Sequence, residues 1–304
     1  MNPSNEPLST RKPQVVVVGD TLIDILLYVP AYPKEGSEVK AASFFRVGGS
    51  SFTSAMCCHR LGCPTALLSR IGEDLYGRWI REELERMGGI LPGMEISPES
   101  KTGSMTIVVS EQGQRTMYSC RGTGTLPELD ASFNRWRVPG GLLHLSGYSL
   151  LESDHSVQIK SLVQQAQARG MRISLDPGPL PVIQVPDRLW EILAWVDVFM
   201  PNEMELEELT GYEDEERAAE QVLKTGCKAV LLKKGSKGAS MFTDGQRRDA
   251  PAEPIHPSPH DTTGAGDSFN GGFLAAMAQG SSWMACMDMG NQTARNYLIK
   301  RFNE

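Results

Sequence analysis

Gly264, Ala265 and Gly266 stand directly ahead of an acid, Asp267, in the stretch DTTGAGDSFNGGF. A mostly apolar, helix-compatible run follows through Phe269, Phe273, Leu274 and Met277. The first amides of a helix have no partner inside it, and the helix dipole favours an anion beside them. Glycine and alanine let that anion come close. The three residues are therefore candidate donors to the oxygens of a phosphoryl group as charge develops on them. Asp267, one residue on, is a candidate to take the proton of an attacking hydroxyl. Together these groups describe phosphoryl transfer to an alcohol. A lone Gly-x-Gly-Asp is more often an ordinary helix start with an acid in its first turn. The length of the surrounding stretch and the motifs upstream favour the chemical reading.

Such a site needs a scaffold that brings distant loops together. Strand-like runs alternate with helix-like ones along the chain. Residues 15–20 (VVVVGD), 65–72 (TALLSRIG), 142–147 (LLHLSG), 171–176 (MRISLD), 197–200 (DVFM) and 228–235 (KAVLLKKG) read as short strands. Residues 50–62, 74–88, 154–170 and 202–211 read as helices, with Gly62 and Gly88 as stops and Asp74 near a start. This alternation predicts an α/β fold with a mainly parallel sheet covered by helices. Two regions break the rhythm. Residues 104–122 read as strand, turn at 111–114, strand, and residues 37–49 are also β-rich. They predict a small separate sheet, placed as a lid and available as a dimer surface.

The bulk composition excludes several alternatives. The 304 residues are 40% hydrophobic and carry a net charge of -7, enough for a large core and too acidic for broad nucleic-acid binding. No apolar run approaches the roughly 20 residues of a membrane span. Residues 1–14 have no apolar segment or cleavage pattern and read as a flexible tail. Six cysteines without a C-x-x-C pair fit a reducing cytoplasm, and five scattered histidines lack metal-ligand spacing. No G-x-G-x-x-G follows the first strand and no GxxxxGK[ST] occurs, so neither a dinucleotide-binding dehydrogenase nor a Walker-type kinase is supported.

DTTGAGDSFNGGF resembles the C-terminal signature of the ribokinase-like, or PfkB, carbohydrate kinase family, and VGGSSFTSAMCCHRLG (residues 47–62) resembles its N-terminal one. GEDLYG (72–77), PNEMELEELTG (201–211) and LLKKGSKGA (231–239) fall where that family has similar segments, so the resemblance runs from about Val15 to Arg295. It implies one ribokinase-like domain over residues 1–304, a three-layer αβα core with a β-sheet lid built from about 37–48 and 104–122. It also implies ATP-dependent phosphorylation of a sugar or sugar-like alcohol. Asp267 would be the general base and Gly264, Ala265 and Gly266 the anion hole. Asp24, in GDTLID, matches the acid that chelates sugar hydroxyls, and Gly48 and Gly49 match the turn whose amides approach the substrate. Asn202 and Glu205 match the N-x-x-E motif that organises magnesium through water together with the nucleotide phosphates. Lys233, Gly235 and Gly238 match the segment beside the nucleotide. Arg121 is a candidate substrate or phosphate contact, and Asp261 and Thr263 match residues around a monovalent-cation site. Each has a plainer reading: Asp24 as a turn cap, Asn202 as a helix cap with an exposed Glu205, Lys233 and Arg121 as surface charge.

Departures from the pattern bear on the substrate. Thr53 stands where the family usually has Asn, and Asp176, in LDPGP, where many relatives have Asn. The sequence ends at Glu304, whereas relatives continue through a small-residue loop that completes the cation site, so potassium activation is left open. Arg121 and Lys233 faintly resemble the 2-keto-3-deoxygluconate kinases, in which an arginine near the lid would hold a carboxylate. A nucleoside kinase and a non-catalytic sugar-binding protein are the competing readings.

Overall fold

Val15 and Val17 join the core on one face of a sheet, and Val16 and Val18 join the core on the other. Strict alternation with both sets buried requires helices on both faces. The computed structural model describes residues 12–89, 91–256 and 261–302. Of the expected tail, residues 1–11 lie outside the described residues. Gln14 is already tied to the sheet: its N–H donates to the Pro64 carbonyl and its own carbonyl accepts from Leu142 N–H.

The main sheet among the described residues has nine strands. Within it β1 (Val15–Val18) is flanked by β4 (Thr65–Gly72) with β5 (Met94–Ser97) on one side. On the other side follow β8 (Leu142–Ser146), β9 (Arg172–Asp176), β10 (Val198–Phe199) and β11 (Ala229–Lys233). All these pairings are parallel. The sheet then ends in an antiparallel pair, β12 (Ala239–Thr243) and β13 (Gln246–Ala250), which the alternating pattern does not announce.

One face carries α1 (Ser50–Arg60), α2 (Leu75–Arg86), α9 (Ala265–Ala278) and α10 (Trp283–Phe302). The other carries α3 (Leu129–Trp136), α4 (Ser153–Ala168), α5 (Pro179–Gln184), α6 (Pro186–Leu193), α7 (Glu203–Thr210) and α8 (Glu215–Leu223). The result is the three-layer αβα arrangement expected from the sequence.

The lid is a separate four-stranded sheet in the order β3 (Ala42–Gly48), β2 (Leu22–Val29), β6 (Gly103–Ser110), β7 (Arg115–Cys120). The hairpin turn falls at residues 111–114 as predicted. The two predicted lid segments do not pair with each other, however. β2 lies between them, antiparallel to β3 and parallel to β6. Residues 22–29 follow β1 after only three residues and form a second strand that leaves the main sheet. The lid is thus joined directly to β1 of the core, and Asp24 lies on the lid itself.

Candidate active site

Asp24 pairs across the lid with Arg46, whose Nε donates to Asp24 Oδ2 at 2.7 Å. A Cβ placed on Gly48 would lie 2.4 Å from Asp24 Oδ1, so the missing side chain there leaves room for this carboxylate. Gly49 has φ +104°, and a Cβ on it would meet the Asp20 carbonyl at 2.6 Å, so both conformation and space require glycine. The Gly48–Gly49 turn caps α1, whose first residue, Ser50, donates its hydroxyl to Asp267 Oδ1 at 2.6 Å. Thr53 follows in the first turn of α1, partly buried. Asp24, the glycine turn and Asp267 therefore meet along one continuous edge, although 243 positions separate the two acids in sequence.

Gly264 caps α9 in the left-handed conformation, φ +82°, and a Cβ there would lie 2.7 Å from the Tyr297 hydroxyl. Ala265, Gly266 and Asp267 form the first turn of α9. Burial, then the neighbouring charge of Asp176, pushes the Asp267 carboxyl up to about 6, against the Ser50 hydrogen bond and Lys233, which lower it. The space over Gly266 is open except for the Lys233 ammonium, whose Nζ is 3.6 Å from where a Cβ would stand.

Lys233 ends β11 with its side chain inside the protein, in an ion pair with Asp176 Oδ2. It is not surface charge. Burial disfavours its ammonium, but Asp176, Glu205 and Asp267 outweigh that penalty and raise its pKa. Asn202 and Glu205 form a capping box on α7: the Asn202 side chain accepts from Glu205 N–H and the Glu205 carboxylate accepts from Asn202 N–H, both at 2.8 Å. The cap reading of Asn202 is thus correct, while Glu205 is buried rather than exposed, at 4%. Burial and the charge of Asp176 push Glu205 up to about 7. Gly235 and Gly238 bracket the turn from β11 to β12, and Gly238 packs on the backbone at Ala250.

Arg121 lies at the end of the lid hairpin with its guanidinium 3.6 Å above the Tyr148 ring and one Nη donating to Asp20 Oδ2 at 2.8 Å. These three residues open onto a cavity of about 250 Å³ that runs past Leu126, Ser149 and His155. Arg115, at the start of β7, donates to Thr263 Oγ1 at 3.0 Å and lies 3.7 Å from Asp261, whose carboxylate accepts from Thr263 N–H. A lid arginine therefore touches the two residues matched to the cation site.

Sequence reasoning missed Asp20, Arg46, Ser50, Arg115, Tyr148 and Asn270. Asp20 sits in the same GDTLID stretch as Asp24, and Asn270 lies inside the C-terminal signature, so both carried a signal. Arg46 and Arg115 become site neighbours only through the lid register.

A family model described as pfkB family carbohydrate kinase matches residues 12–298. Ribokinase of Arabidopsis thaliana is 30% identical over 294 residues, 92% of this chain and 74% of that protein. Cytidine kinase of Thermococcus kodakarensis is 29% identical over 296 residues, 94% of this chain and 96% of that one. The solved structure of A. thaliana ribokinase complexed with ribose and ATP aligns with a TM-score of 0.79 at 27% identity, covering 95% of this chain and 93% of that one.

Proposed function

Because this chain belongs to the PfkB family of carbohydrate kinases, we propose that it phosphorylates a hydroxyl of a neutral sugar with ATP, using Asp267 as the base. The observation that carries this reading is the hydrogen bond from Ser50 to Asp267. It joins the turn expected to hold the acceptor to the acid expected to deprotonate it. The raised pKa of Asp267, about 6, leaves it ionised at neutral pH yet more basic than an ordinary carboxylate. Retention of this base on an open helix start favours catalysis over mere sugar binding.

The residues present fit a magnesium-bound nucleotide. Gly264 to Gly266 give close access to the first amides of α9, and Lys233 adds a full positive charge beside them. Glu205, whose carboxylate already accepts from Asn202 N–H, would reach magnesium through water. Magnesium, when bound, neutralises phosphate charge and lowers the barrier to transfer. Asp267 takes the acceptor proton, the α9 amides hold the transferring group, Asp24 orients acceptor hydroxyls, and the lid keeps water away.

Neutral acceptors are favoured over sugar acids because both arginines at the acceptor end already face carboxylates, Arg46 on Asp24 and Arg121 on Asp20. A carboxylate ligand would have to compete with them. The cavity beside Arg121 and Tyr148 supports a nucleoside as the second reading, since a base attached to a sugar in the cleft would have room there. Five buried cysteines and an exposed Cys120, all free, support a cytoplasmic setting. Among the described residues no helix is long and apolar enough to cross a membrane.

The test is a coupled ADP-release screen with magnesium and ATP over sugars, sugar acids and nucleosides, in KCl and in NaCl. A neutral sugar should give turnover that Asp267→Asn lowers by about 10²–10⁴. Turnover confined to sugar acids would overturn the acceptor assignment, and no turnover on any class would overturn the kinase reading.

A further inference from the structure

Lys233 occupies an unusual position for a strand-end lysine. Only 11% of its side chain is exposed, and Asp176, its ion-pair partner, is 5% exposed. The same Asp176 oxygen, Oδ2, also accepts from Asn270 Nδ2. Asp176 Oδ1 accepts from Gly178 N–H at 3.1 Å. The carboxylate is thus held by a turn after β9 and by α9, and it holds Lys233 in turn. Asn270 lies on α9 three residues after Asp267, so one helix carries the candidate base and a ligand of the group that fixes the lysine. The ammonium is aimed at the first turn of α9, beside Gly266.

A buried ion pair needs a reason. Placing two charges out of water costs several kcal/mol per ion before their attraction is counted, and apolar pairs of similar size often serve stability as well or better. The surroundings sharpen the question. Asp176, Glu205 and Asp267 all act electrostatically on Lys233, so one cation serves three acids. A lysine carries three donors, and Asp176 uses one. The rest of the ammonium faces the place where amide dipoles already converge.

Resting on the kinase reading above, we propose that Lys233 is a catalytic residue that binds the transferring phosphoryl group, and that Asp176, fixed by Asn270, is its positioning residue. The amides of α9 offer only partial charges to the phosphoryl oxygens. A full positive charge at the same place opposes the negative charge spread over those oxygens during transfer, in a site that excludes water. Asp176 keeps the lysine protonated where burial alone would favour its neutral form. No proton leaves Lys233. The bond to the leaving phosphate breaks, the bond to the acceptor oxygen forms, and the acceptor proton goes to Asp267.

The role requires that Lys233 distinguish a nucleotide with a γ-phosphate from one without it. Calorimetry with magnesium and either ADP or the non-hydrolysable β,γ-imido analogue of ATP reads this without any acceptor. Lys233→Met removes the charge and keeps most of the volume. The double variant Lys233→Met/Asp176→Asn also removes the partner charge, so that no uncompensated carboxylate unfolds the protein. Both should bind ADP as the wild type does and lose about 10-fold or more in affinity for the imido analogue. With the acceptor from the screen, kcat should fall about 10²-fold with acceptor KM little changed, and Lys233→Arg should restore part of kcat. Asp176→Asn should lower kcat by less than Lys233→Met and keep the preference for the triphosphate analogue. Folded variants that bind both nucleotides like the wild type, or lose both equally, would reduce Lys233 to a structural ion pair and overturn the proposal while leaving the kinase reading intact. A wild-type protein that binds neither nucleotide would overturn both.

Discussion

A carboxylate works as a base near neutral pH only if its surroundings raise its proton affinity without protonating it outright, and Asp267 meets that condition through burial and the charge of Asp176. Ser50 opposes the rise by donating to Oδ1. Activity should therefore fall as pH drops through about 6, where Asp267 takes up a proton. Ser50→Ala removes a stabiliser of the ionised form, so the acidic limb of the kcat/KM profile should move to higher pH. A limb that stays in place would separate Ser50 from the base. Asp267→Asn should lower kcat by about 10²–10⁴. Its stability has a definite sign. The folded pKa lies above that of an unfolded Asp, about 3.9, so ionised Asp267 weighs against folding above about pH 6, and the penalty disappears as pH falls toward 4. Asp267→Asn should thus melt higher than the wild type at pH 8, with the gap narrowing by pH 5. A lower melting temperature at pH 8 would mean that the Ser50 contact outweighs the buried charge.

Elements decide how close these residues come. α9 lies against α1 because Gly271 has no side chain: a Cβ there would stand 2.6 Å from the Ser54 carbonyl and 2.5 Å from Cys57 Cβ. Gly272 does the same toward α10, where a Cβ would meet the Met289 carbonyl at 2.6 Å. The paired glycines after Asn270 thus set the helix spacing that lets Ser50 reach Asp267. Gly271→Val should destabilise by roughly 1–3 kcal/mol through overpacking, visible in thermal melts, and should lower kcat by pushing the two helices apart. The lid is tied at a second point by Arg115, which contacts Thr263 and Asp261 just ahead of the start of α9. Arg115→Ala should loosen lid closure, raise the acceptor KM and increase ATP hydrolysis without acceptor. Unchanged coupling between hydrolysis and transfer would remove the latch. Because a guanidinium already stands at Asp261, the wild-type rate should be similar in KCl and NaCl.

Across the whole molecule, the lid presents more apolar surface than a lone sheet needs. Phe44 and Met117 are 58% and 47% exposed and lie on the same face as Asp24, since Leu26 pairs with Phe44 and with Ile107, and Ile107 with Met117. A second copy of this lid is the partner expected to cover that face, as the sequence suggested. Phe44→Glu should shift a dimer to monomer in sedimentation and raise the acceptor KM by loosening the cleft wall. A wild-type protein that sediments as a monomer at micromolar concentration would end this expectation.

The parallel core was legible because buried strands and amphipathic helices leave local, periodic traces: residues 65–72 read as a strand and form β4 over the same span, and Asp74 caps α2 as its position suggests. The helix start in DTTGAGDSFNGGF was legible for the same reason, since the Gly264 cap and the first turn through Asp267 lie within four consecutive residues. The strand at residues 22–29 was not, because its partners are 14 to 81 positions away and its single acid drew attention to chemistry rather than to pairing. Sequence could name Asp24, Asp176, Lys233 and Asp267, but not that Arg46 would pair with the first or that the second would hold the third beside the first turn of α9. Those relations depend on strand register and helix spacing. Both are set by the packing of the whole chain, and no local stretch encodes a distance between side chains that only the fold brings together.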